Sequence, residues 1–254
     1  MSKLKFIIGG YLLTVIGLFL YSYTQVDLNL TLSQWSIWKT IQTSFQYIGW
    51  FNRPLSTLIY LIILLLLTVC YLLFLWNIKR GLLLARHFWW LVGGMSLILL
   101  FSYNAFSYDL FNYMFDARIF TLHQQNPYLY KALDFPNDPW INFMRWTHRT
   151  YPYGPVWLGL TIPLSYLGFQ IFLPTLFLFK ALMVGSFIGT IYFIGKIFQK
   201  IKPSDGLFGM AFFALNPLVI IESLVSAHHD IVMVFLVTMA IYHLLNKNYI
   251  RAFL

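Results

Sequence analysis

Only eight of the 254 residues are acidic, and two of them, Asp109 and Asp116, share one stretch, "AFSYDLFNYMFDARIFTLHQQNPY" (105–128), which follows a long apolar run. Read as a helix, their seven-residue spacing puts both carboxylates on one face. Asn112 and Tyr113 lie between them, with Leu110, Phe111, Met114 and Phe115 opposite. The pattern predicts an amphipathic helix lying at a membrane interface. Its acids either solvate the polar face or hold a carboxylate where a substrate hydroxyl can lose a proton to it. Partial desolvation raises a carboxylate's pKa and makes it the better base.

Two further stretches carry polar groups at apparent membrane boundaries. "YPYGP" (151–155) predicts a rigid turn containing Tyr153 and Gly154. "ALNPLVIIESLVSAHHD" (214–230) interrupts an apolar run at Pro217 and ends in His228, His229 and Asp230. These three could ligate a divalent metal, but neighbouring helical residues point in different directions. Hydrogen bonding to a phosphate or a sugar, or a plain interfacial turn, accounts for them as well. Arg118, Arg145 and Arg149, with His148, occur in one polar segment and could grip a lipid phosphate; each alone is equally a headgroup contact or a solvated charge.

The elements that must position these groups are set by composition. The chain is 59% hydrophobic and 10% charged, against about 25% charged in an ordinary soluble domain. Runs such as Leu55–Trp76 exceed the roughly 20 apolar residues that cross a bilayer. The fold class expected is an all-α, multi-pass transmembrane bundle, a single domain over 1–254, with an interfacial helix in a long outer loop. The net charge of +9 does not point to nucleic acid, because the basic residues are scattered in short clusters between apolar runs. The lone Cys70, inside such a run, reads as a small buried hydrophobe.

Four basic clusters mark the cytoplasmic side: Lys3 and Lys5; Lys79, Arg80 and Arg86; Lys196, Lys200 and Lys202; Lys247 and Arg251. Full spans are expected over 6–23, 55–76, 88–106 and 176–194. The segment 206–245 makes two more, bent near 226–230, and 157–169 forms a short helix that lies at the outer interface or dips into the membrane. The loops 24–54 and 107–155 and the "AHHD" turn then fall outside, together with seven of the eight acids. Glu222, alone within a span, is expected to face protein or a polar cavity. The ending "NYIRAFL" reads as the start of another span, so a longer protein is expected.

The order "YDLFNY", "NPY", "YGP", "NPL", "HHD" resembles the polyprenol-phosphate-mannose-dependent mannosyltransferases of the GT-C class, in particular the α-1,6-mannosyltransferase branch. The likeness covers about half of the chain, 107–234. It implies that Asp109 takes the place of an outer-loop catalytic aspartate. By the same likeness Tyr113, Tyr128, Tyr153 and Gly154 line the site, and His228 and Asp230 match a His-Asn-Asp motif in which His229 replaces the asparagine. Asp116 lies outside the shared pattern. The resemblance further implies a bacterial plasma-membrane enzyme that moves a hexose, mannose, from a polyprenyl-phosphate donor to an extracytoplasmic glycan or lipid acceptor. Asp109 would be the base of an inverting reaction. A transporter or flippase of lipid-linked sugars is the competing reading, with Glu222 beside the Pro217 break as its best feature.

Overall fold

The computed structural model describes residues 2–253. The fold is all-α, with no strand among the described residues. Helices α1 (Ser2–Ser22), α3 (Arg53–Lys79) and α7 (Phe172–Ile201) are long and apolar enough to cross a membrane. Mean hydropathy peaks at 3.0 in α3, where few residues are charged or small. A fourth span is available if the broken pair 203–214, which contains α8 (Gly206–Ala214), and 217–225, bent by 55°, counts as one. This is a membrane protein.

Two expected spans are shorter than the apolar pattern implied. The run 88–106 forms α4 only over Ala85–Leu100, and the second half of 206–245 forms α10 over Asp230–Leu245. At 1.5 Å per residue each 16-residue helix is about 24 Å long, less than the roughly 30 Å hydrocarbon core. Helix α4 stops because the next residues bond elsewhere. The Asn104 side chain donates to Ser107 O, Tyr103 N donates to Ser22 Oγ, and Phe106 takes a left-handed φ of 72°. Helix α6 (Pro155–Leu167) is, as expected, a short apolar helix. Gly154 precedes it and Pro155 opens it, where a missing N–H costs nothing.

The core runs through α1, α3, α4 and α7 and takes in only the first turn of α10. Tyr11 of α1 is fully buried, edge-on to Phe74 of α3, and its hydroxyl meets Met95 Sδ of α4 at 2.9 Å. Cys70 is a free thiol packed beside this core.

The helix over 109–121, α5 (Asp109–Thr121), is not the interfacial amphipath expected. Only Asp109, Asp116 and Phe120 reach the surface; the other ten residues are buried. Its apolar side lies under protein rather than on lipid, with Phe111 edge-on to Phe143 at 5.5 Å and beside Phe172 at 6.1 Å. The helix that does turn apolar residues outward is α2 (Ser36–Gln46), in the first loop. Ile37 and Ile41 are exposed, whereas Gln42 and Gln46 are buried. The Gln42 amide donates to Leu30 O at 2.7 Å and the Gln46 amide to Asp27 O at 3.0 Å.

Between the two halves of the broken span, Asn216 caps α9 (Pro217–Ile220) by accepting from Leu218 N at 3.0 Å. The chain then widens into a π-turn, Ile221–Val225. Ser226 N donates to Ile221 O, His228 N to Glu222 O, and Ala227 sits at φ 53°. The left-handed residue reverses the chain and presents His228 and His229 just before α10 begins.

Candidate active site

Asp109 and Tyr113 of α5 meet that turn, and Asp116 follows on the same side of the helix. Asp109, the first residue of α5, places Oδ2 3.6 Å from His228 Nε2. The other nitrogen of His228, Nδ1, lies 2.6 Å from Glu222 Oε2. Imidazole thus bridges two carboxylates, and all three side chains keep partial access to solvent. Glu222 was expected to face protein or a polar cavity, and it does; its pairing with His228 was not foreseen. Asp230 joins Glu222 and His228 around a small open cavity of about 180 Å³.

One turn along, the Tyr113 hydroxyl lies 2.7 Å from His229 Nδ1. The His229 ring packs against three aromatic rings, with centroid distances of 5.1 Å to Tyr113, 4.9 Å to Tyr153 and 5.3 Å to Trp157. Burial lowers the His229 pKa, against the pull of Asp230 and Asp109, so the ring is neutral at pH 7 and binds as donor and acceptor. The same desolvation raises the Tyr113 pKa and keeps its phenol protonated. Asp116 comes last. Desolvation pushes its carboxyl up to about 7, and the nearby Arg149 opposes the shift. A carboxyl of this kind exchanges its proton near neutrality, as acid–base groups at active sites do.

The three arginines separate. Arg118 is not with this cluster as a free cation. Its Nε donates to the buried Asp138 at 2.7 Å, one Nη donates to Gln170 O at 2.9 Å, and its guanidinium covers Trp140 at 4.1 Å. His123 shares the same carboxylate at 2.9 Å. Arg145 pairs with Asp27 at 3.2 Å, which also accepts from the Tyr108 hydroxyl at 2.9 Å. Arg149 alone of the three has no ion-pair partner among the described residues; its nearest polar contact is the Tyr153 hydroxyl at 3.5 Å. Tyr128 donates to Tyr153 O at 3.2 Å and so buttresses the aromatic wall, while Gly154 stands exposed behind it. Among the described residues no three His, Cys, Asp or Glu side chains gather as a metal site would require.

Lys180, which the sequence did not single out, is buried in α7. Its Nζ donates to Ser102 Oγ at 2.7 Å and to Leu224 O at 2.9 Å. It therefore ties the end of α4 to the π-turn that carries Glu222. A lone lysine inside an apolar run was the available signal.

Residues of the "YDLFNY", "NPY", "YGP" and "HHD" motifs thus come together around one imidazole between two carboxylates and one aromatic cluster, while Asn216 of "NPL" caps α9. A family model described as alpha-(1→6)-mannopyranosyltransferase, N-terminal domain, matches residues 9–254. The chain belongs to that family. No curated protein and no solved structure matches it. Membership decides between the two readings left by the sequence: the family is one of glycosyltransferases, not of transporters or flippases. A mannosyltransferase has a sugar donor and an acceptor as its substrates, and the cluster around Asp109 offers acid–base groups, neutral hydrogen-bonding groups and an aromatic surface for them.

Proposed function

We propose that this site transfers mannose from a polyprenyl-phosphate donor to a hydroxyl of a glycan or lipid acceptor, on the outer face of a bacterial plasma membrane, with inversion at the anomeric carbon. The observation that carries the reading is the Asp109–His228–Glu222 chain at the open end of α5. The Asp109 carboxylate takes the proton of the acceptor hydroxyl as its oxygen attacks the anomeric carbon. The bond from that carbon to the phosphate oxygen breaks on the opposite side, and polyprenyl phosphate leaves with the electron pair. Glu222 holds His228 as the Nδ1–H tautomer, which leaves Nε2 free to receive the proton from Asp109. Arg149, the one of the three loop arginines with no carboxylate partner among the described residues, stabilises charge developing on the phosphate. The partly exposed His229 and Tyr153 supply a wall for the sugar ring, backed by the buried Tyr113 and Trp157. The outward orientation rests on the four basic clusters.

The test is turnover of the full-length protein in bilayers, with mannosyl polyprenyl phosphate as donor and α-1,6-mannotriose as acceptor. Asp109→Asn keeps size and hydrogen bonding but cannot take the proton, so turnover should fall about 100-fold or more. Asp116→Asn should cost less, because Asp116 is two helical turns, roughly 10 Å, away. Near-normal transfer by Asp109→Asn would assign the base elsewhere.

A further inference from the structure

A second cavity, of about 580 Å³, is joined to the site through Tyr128. Phe120 at the end of α5, Tyr166 near the end of α6, and Gln124, Gln125, Asn126 and Tyr128 between these helices line it. Its volume is within the range of about 300–1,000 Å³ for small-ligand pockets. None of its lining residues bears a formal charge. The cavity around Arg118 differs in this respect, being lined also by His123, Asp134 and Asp138.

The chemistry of the lining is specific. Gln124 and Gln125 are exposed, and their amides make no hydrogen bond among the described residues. Each amide can donate twice and accept twice. The backbone beneath them is held: Gln125 N donates to Ile119 O at 3.0 Å, Gln124 sits at φ 54°, and Tyr128 N donates to Asn126 Oδ1 at 2.9 Å. Opposite stand partly exposed aromatic rings, Phe120, Tyr128 and Tyr166. Amides that both give and take hydrogen bonds suit the vicinal hydroxyls of a sugar, and aromatic faces suit its C–H surface. A phosphate or an anionic headgroup would find no cation here. The Tyr128 ring is edge-on to Tyr151 at 5.1 Å and its hydroxyl bonds to Tyr153 O, so an occupant lies directly behind the wall that faces His229.

We propose that this cavity is a subsite for the neutral oligosaccharide part of the acceptor, binding sugar residues beyond the one whose hydroxyl reacts. The inference rests on the transfer reaction proposed above. It is tested on the full-length protein in bilayers with Gln124→Ala, Gln125→Ala and Phe120→Ala. All three change exposed side chains, and two kinds of acceptor are compared. The KM for α-1,6-mannotriose should rise about 10-fold or more, while the KM for methyl mannoside, the donor KM and the kcat at saturating acceptor stay as in the wild type. An unchanged mannotriose KM in all three variants would overturn the subsite. So would an equal change in the kinetics of both acceptors, which marks a structural effect. If the wild type transfers to neither acceptor, the proposed reaction fails, and saturation-transfer NMR with mannotriose alone decides the subsite separately. Contact that is present in the wild type and lost in Gln124→Ala supports it. No contact with the wild type, or equal contact with both, refutes it.

Discussion

Asp116 gives a quantitative handle on the site. Its carboxyl titrates at about 7 in the folded protein, against 3.8 for a free aspartate. At about 1.36 kcal/mol per tenfold change in acidity, burial disfavours the charged form by at most about 4 kcal/mol. Between pH 4 and pH 7 the folded protein still holds a proton that the unfolded chain has released. The stability contribution is therefore fully present below about pH 4, is lost as pH rises, and is level above about pH 7. Asp116→Asn has no such titration. The stability of the wild type relative to Asp116→Asn should fall across this window by up to about 4 kcal/mol and then stay constant. Denaturant unfolding of both proteins in one detergent, followed by tryptophan fluorescence at several pH values, measures the difference. A second readout comes from Arg149: as Asp116 becomes charged it competes with the donor phosphate, so the wild-type donor KM should climb through pH 7 while that of Asp116→Asn does not. A stability difference that is flat from pH 4 to pH 8 would refute the reasoning, because the carboxyl would then be as well solvated folded as unfolded.

Arg149→Ala should raise the donor KM about 10-fold or more and move the Asp116 transition to higher pH, since the opposing charge is gone; unchanged donor kinetics would assign the phosphate to other groups. Glu222→Gln keeps a hydrogen bond to His228 but loses its charge, and hydrogen bonds to charged groups are worth about 1.5–3 kcal/mol, so turnover should drop about 10- to 100-fold. Wild-type turnover would remove Glu222 from the mechanism. Lys180→Met removes a buried amine whose partners are neutral, so thermal stability should hold or rise while kcat falls, because the π-turn loses its tether. A loss of stability as large as the loss of activity would make Lys180 a support of the fold alone.

Long apolar runs made α1, α3 and α7 legible, since 20 apolar residues have few alternatives to a span. The end of α4 was not, because Leu100 and Phe106 are equally apolar and the break depends on a tertiary bond to Ser22 as well as a local one to Ser107. Motif order pointed to Asp109, Tyr113, Tyr153, His228 and His229, and the structure gathers these residues. Glu222 was harder to see: six residues from His228, it reaches the imidazole only through a π-turn and a left-handed Ala227, neither of which has a sequence signature here. Arg118 looked free because Asp138, its partner, lies 20 residues on in an irregular loop. The face of α5 opposite the acids read as lipid-facing because periodicity cannot tell lipid from a covering loop, and Phe143 and Phe172 provide the cover.

Helix α2 has a consequence of its own. Its two sides differ: Ile37 and Ile41 turn outward, while Gln46 donates to the carbonyl of Asp27. The carboxylate of that same Asp27 holds Tyr108, the residue immediately before Asp109. The height of Asp109 is therefore surveyed from two benchmarks, the bundle below it and the first loop beside it, with Asp27 as the point where the two measurements meet.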